Sequence, residues 1–198
     1  MIKIIAILLL IPSITLAKPI KDMKKTVVLI ETRESSGSGV IISSNGLIIT
    51  AAHVLEDKRS AIVYVKNRPY KALVAYINYK SDVALLKIEV DNLPYSEITY
   101  DYNKLDEIYT ISNPKGYRNI CGKGSIVDIN LDGYLPDKSL LYIVTDTIVS
   151  AGSSGGAIFN KEGELISIIY AVSQENEGYS IPIGNFRILA EHYINNLV

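Results

Sequence analysis

Short apolar runs separated by turn-forming residues recur along most of the chain, and this pattern restricts the fold more than any other feature. The clearest case is the pair 40–43 and 47–50, which flank Ser44-Asn45-Gly46 and predict a β-hairpin. Similar runs follow at the spacing typical of all-β domains. These further predicted strands are 62–65, 73–77, 83–88, 108–111, 124–129, 140–145, 157–159, 165–172 and 179–181. The sequence therefore predicts an all-β protein.

Three other segments complete this division of the chain. Residues 91–104 are polar and rich in Tyr, Asp and Asn, which is typical of a linker between two sets of strands. Residues 185–197 place Phe186, Leu189, Tyr193 and Leu197 at helical spacing, which predicts an amphipathic terminal helix packed on the strands. We interpret Ser35-Ser36-Gly37-Ser38-Gly39 as a flexible turn.

The first 17 residues have the composition of a secretory signal. Lys3 supplies a positive start, residues 4–11 form an apolar core, and Thr15-Leu16-Ala17 ends in a small residue suited to cleavage. The apolar run is short for a bilayer span, so we expect no stable membrane span and a secreted or periplasmic protein of residues 18–198. The alternative is an uncleaved anchor, which would fit a membrane-tethered structural protein.

Composition excludes several other classes of protein. The chain carries 20 basic and 21 acidic residues, and no basic stretch suggests a nucleic-acid partner. The single Cys121 cannot form an internal disulfide, so stability has to come from packing. We interpret Cys121 as a small buried residue, with intermolecular pairing as the alternative. No cofactor and no metal site are expected.

Three short segments supply a His, an Asp and a Ser in that order. They are Thr50-Ala51-Ala52-His53, the 81–86 run that contains Asp82, and Gly152-Ser153-Ser154-Gly155-Gly156. Acyl transfer needs these groups: a hydroxyl that attacks, an imidazole that takes its proton, and a carboxylate that holds the imidazole in the right tautomer. The trio therefore favours a serine hydrolase.

Each of these residues also has an ordinary structural explanation. His53 follows an apolar run and could be a satisfied core histidine, although the other histidine, His192, lies in a polar tail and is expected to be exposed. Asp82 could be a turn residue that bonds to its own backbone. Ser154 could lie in a flexible turn, but its flanking glycines also allow the N–H groups of Gly152 and Ser154 to form an oxyanion hole.

These segments together resemble the trypsin-like serine proteases of the chymotrypsin fold, and within them the HtrA/DegP-type bacterial branch. The resemblance covers roughly residues 25–197. The matching segments are 38–54, 81–88, 112–116, 152–160, 163–166 and 178–183. It implies two six-stranded antiparallel β-barrels, at about 25–95 and 105–183, and a short helix at about 185–197. It also implies that His53 is the general base, Asp82 its orienting carboxylate and Ser154, rather than Ser153, the nucleophile.

The resemblance further implies what the site would accept. The wall of the primary specificity pocket would contain five residues without a carboxylate. These residues are Ile148, Val149, Tyr170, Ala171 and Val172. We therefore expect a serine endopeptidase that cleaves protein or peptide substrates after small or aliphatic residues.

Two departures from the related enzymes also bear on function. Ser153 stands where trypsin-type enzymes have an Asp, so no proteolytic activation switch is expected. The sequence stops after the terminal helix, so we expect no PDZ module. The alternative to an enzyme is a catalytically silent trypsin-like binding protein.

Overall fold

Twelve strands form two closed antiparallel barrels in the computed structural model, which describes residues 18–130, 139–147, 149–172 and 177–196. The order around the first barrel is β1-β2-β3-β6-β5-β4, and around the second it is β10-β11-β12-β9-β8-β7. The first barrel contains β1 (Val27–Glu31), β2 (Ser36–Ile41), β3 (Leu47–Ala51), β4 (Ser60–Val65), β5 (Arg68–Asn78) and β6 (Val83–Lys87). The second contains β7 (Glu107–Ser112), β8 (Ile120–Asn130), β9 (Tyr142–Thr145), β10 (Ala157–Asn160), β11 (Leu165–Val172) and β12 (Gly178–Pro182). The expected pair of six-stranded barrels is confirmed.

One sequence interpretation was wrong. The Ser/Gly segment expected to form a flexible turn belongs instead to β2, which pairs with β1 from Glu31↔Ser36 to Val27↔Val40. Its glycines serve close packing, because a Cβ at Gly39 would lie 2.7 Å from the Ile30 side chain. Strand β1 and the short helix α1 (Ile20–Met23) were not predicted.

Both faces of the central strands are buried, which explains their continuous apolar sequences. In β3, Ile48 packs inside the first barrel, whereas Leu47 and Ile49 contribute to a cluster that also contains residues of the second barrel. Phe159 and Leu165 are among these second-barrel residues, and both are fully buried. The two barrels therefore share one apolar interface.

The predicted terminal helix is present and joins the two barrels. A 3₁₀ turn (Ile183–Phe186) leads into α2 (Arg187–Asn196), and Phe186, Leu189 and Tyr193 pack against the shared cluster, while Leu197 lies outside the described residues. The Tyr193 hydroxyl donates a hydrogen bond of 3.1 Å to the carbonyl of Ala75 in the first barrel.

Neither helix within the described ranges is long and apolar enough to cross a membrane. The signal sequence predicted at residues 1–17 lies outside those ranges.

Candidate active site

His53 and Asp82 lie together at one end of the first barrel because two adjacent strands end there. His53 lies in a 3₁₀ turn (Ala52–Val54) that follows β3, and Asp82 immediately precedes β6. The register of these strands pairs Ala51 with Val83. The turn after one strand and the residue before the other are therefore neighbours.

The Asp82 carboxylate holds His53 through two hydrogen bonds. Its Oδ2 lies 2.6 Å from Nδ1 of the imidazole, and its Oδ1 accepts the backbone N–H of His53 at 2.8 Å. The Asp82 side chain is only 7 % exposed, whereas that of His53 is 45 % exposed. Nδ1 of His53 therefore faces a buried acceptor. Of the two side chains, the imidazole is the one that a ligand can reach.

The loop that contains Ser154 comes from the second barrel, and its carbonyl groups are all engaged. Every carbonyl oxygen from Ala151 to Ser154 accepts a hydrogen bond. In that order the donors are the N–H of Lys115 (3.0 Å), the hydroxyl of Ser38 (3.0 Å), the N–H of Gly156 (2.8 Å) and the N–H of Ser38 (2.8 Å). The orientation of each peptide unit in the loop is therefore fixed by a neighbouring group.

The N–H groups of residues 152–155 in this loop divide into two kinds. Ser153 and Gly155 donate to the carbonyls of Ser150 and Ile169, at 2.9 and 2.7 Å. Among the described residues, no acceptor is hydrogen-bonded to the N–H of Gly152 or Ser154. Each of these N–H groups shares a planar trans peptide unit with the carbonyl of the preceding residue and points the opposite way. The hydrogen bonds to the Ala151 and Ser153 carbonyls therefore fix the directions of the Gly152 and Ser154 N–H groups. They are the two N–H groups that the sequence predicted for an oxyanion hole.

Tyr170 contacts both parts of the site. Its ring lies edge-on to the His53 imidazole, with the ring centroids 6.0 Å apart, and its carbonyl accepts the Ser154 hydroxyl at 3.3 Å. Burial, and secondarily the nearby Asp82 charge, raises the pKa of the Tyr170 phenol. The structure thus joins His53 and Asp82 directly, while the Ser154 hydroxyl donates to Tyr170 rather than to His53.

A small cavity of about 120 Å³ lies beside Ser154. Among the described residues its lining contains no charged side chain: Val149, Ser150, Ala151, Ser153, Ser154, Ile169 and Tyr170. Val149 and Tyr170 were expected in a specificity pocket. Ile148 lies outside the described residues, and the backbones of Ala171 and Val172 end strand β11.

Four lining residues were not predicted from the sequence as part of a pocket: Ser150, Ala151, Ser153 and Ile169. Ser150 and Ala151 come just before the Gly-rich segment, and Ile169 directly precedes Tyr170, so closeness to the singled-out residues could have indicated them. Ser153 is 2 % exposed, and its hydroxyl accepts hydrogen bonds from the Ser112 hydroxyl (3.1 Å) and the Ser150 N–H (3.3 Å). Ser153 is therefore a buried part of the loop.

The chain belongs to the trypsin-like peptidase domain family, which it matches over residues 37–168. Within that family it has an HtrA-like protease domain, as its relatives indicate. It is 36% identical over 156 residues to the "Probable periplasmic serine endoprotease DegP-like" of Halomonas elongata, an alignment that covers 75% of this chain and 32% of that protein. It is 33% identical over 175 residues to serine protease HTR4 of Rattus norvegicus, with 84% of this chain and 36% of that protein covered.

A solved structure gives the same result for the fold. The HtrA-type protease AlgW, solved with a tripeptide, superposes with a TM-score of 0.80 at 26% identity, covering 90% of this chain and 64% of AlgW. The chain spans about a third of the length of the two curated relatives described above.

Proposed function

We propose that this protein is a serine endopeptidase in which Ser154, His53 and Asp82 form the catalytic triad. The observation that carries the proposal is the His53–Asp82 hydrogen bond of 2.6 Å, located where Tyr170 contacts both His53 and the Ser154 hydroxyl. A buried carboxylate that accepts from Nδ1 favours the tautomer in which Nε2 is unprotonated. Nε2 can then take a proton from an attacking hydroxyl.

In the proposed reaction the Ser154 Oγ attacks the substrate carbonyl while its proton passes to Nε2 of His53. In this step the hydroxyl leaves the Tyr170 carbonyl, to which it donates in the structure, and turns toward His53. The free N–H groups of Gly152 and Ser154 bind the negative oxygen of the tetrahedral intermediate. His53 then protonates the leaving amine, and water hydrolyses the acyl-enzyme with His53 again acting as the base.

A fluorophosphonate probe separates this proposal from the alternative of a catalytically silent binding protein. The probe forms a covalent bond only with an activated serine, so we expect one adduct per chain, located on Ser154 by mass spectrometry of peptides. Ser154→Ala is expected to abolish labelling. A folded wild-type protein that does not react would favour the binding protein.

We propose that substrates are cleaved after small or medium aliphatic residues such as Ala, Val or Ile. The cavity beside Ser154 has the volume of roughly four water molecules, and its described lining residues are uncharged, which supports a short apolar side chain over Lys or Arg. Mass spectrometry of a casein digest would measure this preference. A dominant cut after Lys or Arg would contradict it.

We also propose that residues 1–17 direct export and are removed. The positive start, apolar core and small final residue support this, as does the Halomonas elongata relative, whose name describes a periplasmic endoprotease. N-terminal sequencing of the exported protein is expected to begin at Lys18. A protein that is recovered in the membrane fraction and still begins at Met1 would support an anchor instead.

A further inference from the structure

We infer that Ser38, in the first barrel, is a positioning residue that holds the oxyanion loop of the second barrel in its working conformation. The inference rests on the proposed function, because it assigns a role to Ser38 through Gly152 and Ser154. Ser38 is completely buried in β2, within the segment expected from the sequence to be a turn. It touches no reacting atom in the proposed mechanism and acts through the loop.

Ser38 binds the loop at two points. Its backbone N–H donates to the carbonyl of Ser154 at 2.8 Å, and its hydroxyl donates to the carbonyl of Gly152 at 3.0 Å. These carbonyls belong to the peptide units that follow the two proposed oxyanion donors. One residue of the first barrel therefore restrains both residues on which the oxyanion hole depends.

The direction of the hydroxyl proton is fixed by the partners of Ser38. The backbone N–H of Asn113 can only donate, and it reaches the Ser38 Oγ at 2.8 Å, whereas the Gly152 carbonyl can only accept. Asn113 is itself 1 % exposed, and its side-chain amide donates to the carbonyl of Val28 at 2.9 Å. The hydroxyl is thus held as a link between two buried groups.

The hydrogen bond from Ser38 matters for catalysis because the residue that it restrains, Gly152, is a glycine. Gly152 has a φ of 88°, and without a Cβ the peptide units on either side of it can rotate at little steric cost. Without the Ser38 hydroxyl, the Gly152 carbonyl and the Asn113 N–H would both lose a partner in a buried region. The Gly152–Ser153 peptide unit lies between the two units that carry the Gly152 and Ser154 N–H groups, so a rotation that satisfies its carbonyl elsewhere would change how these two donors converge on the oxyanion.

Ser38→Ala tests the inference. Loss of a whole oxyanion donor lowers kcat by about 10²–10³-fold. A donor that is only partly misplaced should therefore lower kcat by roughly 10- to 100-fold, with little change in KM. A peptide aldehyde, which forms a tetrahedral adduct, should lose affinity in the same proportion, whereas the non-covalent product peptide should not. Ser38→Cys keeps a weak donor of similar shape and is expected to give intermediate values.

The matched control is Ser96→Ala. Ser96 is also buried, and its hydroxyl pairs with that of Thr26 at 2.7 Å away from the loop. Both alanine variants should lose thermal stability, but only Ser38→Ala should lose kcat and aldehyde affinity. Unchanged kcat in folded Ser38→Ala would overturn the inference, and so would wild-type kcat in Ser38→Cys if the alanine variant does not fold. A wild-type protein unreactive toward fluorophosphonate would instead refute the proposed function.

Discussion

At the scale of single residues, Asp82 has the most demanding environment in the candidate site. It has a φ of 49°, a region that Asp and Asn tolerate better than most residues. Its carboxylate accepts both the imidazole and the backbone N–H of His53, and its own carbonyl accepts the Ala52 N–H at 3.1 Å. An Asp here therefore stabilises the turn and orients the ring at the same time.

Asp82→Asn separates these two roles. Asn accepts the same backbone conformation, so the protein should fold, but an amide N–H facing Nδ1 favours the tautomer in which Nε2 is already protonated. We expect kcat on a peptide substrate to fall about 10⁴-fold. Circular dichroism would establish that the variant is folded. A fall in kcat of less than tenfold would argue against the orienting role of Asp82.

Gly152→Ala tests the geometry of the oxyanion loop. A Cβ there would lie 2.8 Å from the backbone N of Lys115 at a φ of 88°, so the loop has to shift. We expect kcat to fall about 10²–10³-fold with KM largely retained. Steady-state kinetics on a chromogenic peptide would measure both constants.

Gly163→Ala is the matched control for that substitution. Gly163 also has a positive φ, 84°. Its Cβ would lie 2.5 Å from the side chain of Lys18, a residue that does not belong to the oxyanion loop. Both variants should have a lower free energy of unfolding than the wild type, but only Gly152→Ala should have a lower kcat. Equal losses of kcat would mean that general destabilisation explains the result.

At the scale of elements, apolar patterning predicted most strands correctly but missed β1 and the first four residues of β2. The run from Leu47 to Thr50 is apolar because both faces of β3 are buried, so its strand was visible in the sequence. The segment around Ser38 looked like a turn, since Ser and Gly are typical turn residues. Its small side chains are required by contacts with distant parts of the chain, such as Val54 within 2.6 Å of a Cβ at Gly37. Such contacts cannot be predicted from the sequence of the segment alone.

Tyr193→Phe tests how helix α2 joins the barrels. It removes the hydroxyl that donates to the Ala75 carbonyl, and the free energy of unfolding should fall by about 1 kcal/mol. Urea denaturation would measure the change. Tyr117→Phe is the control, because Tyr117 is 69 % exposed, and it should leave the midpoint unchanged. Identical midpoints for both variants would mean that the bond contributes nothing.

At the scale of the whole molecule, the site exists only because the barrels are fixed to each other. His53 and Asp82 come from the first barrel and Ser154 from the second. Their identities could be predicted from three short motifs. The hydrogen bonds that Ser38 and Lys115 donate to carbonyl groups of the loop could not, because both donors lie at least 36 residues away along the chain.

Phe159→Ala tests the shared interface. Phe159 is fully buried in the cluster that both barrels form, and its truncation should lower the free energy of unfolding by about 3–5 kcal/mol. Because the cluster joins the barrels, we expect one cooperative urea transition, shifted as a whole. Ile188→Ala, at a site that is 86 % exposed, should change stability by less than about 0.5 kcal/mol. Two separate transitions in the wild type would show that the barrels unfold independently.

The most direct test of the central claim is turnover of a peptide p-nitroanilide by the wild type and by Ser154→Ala. Removal of a triad nucleophile should lower kcat by about 10⁶-fold. With a slowly hydrolysed ester, intact-mass spectrometry of the wild type should find one acyl group, and peptide mass spectrometry should locate it on Ser154. Ser153→Ala should still form the adduct. An acyl group on another residue, or turnover by Ser154→Ala within tenfold of the wild type, would contradict the assignment.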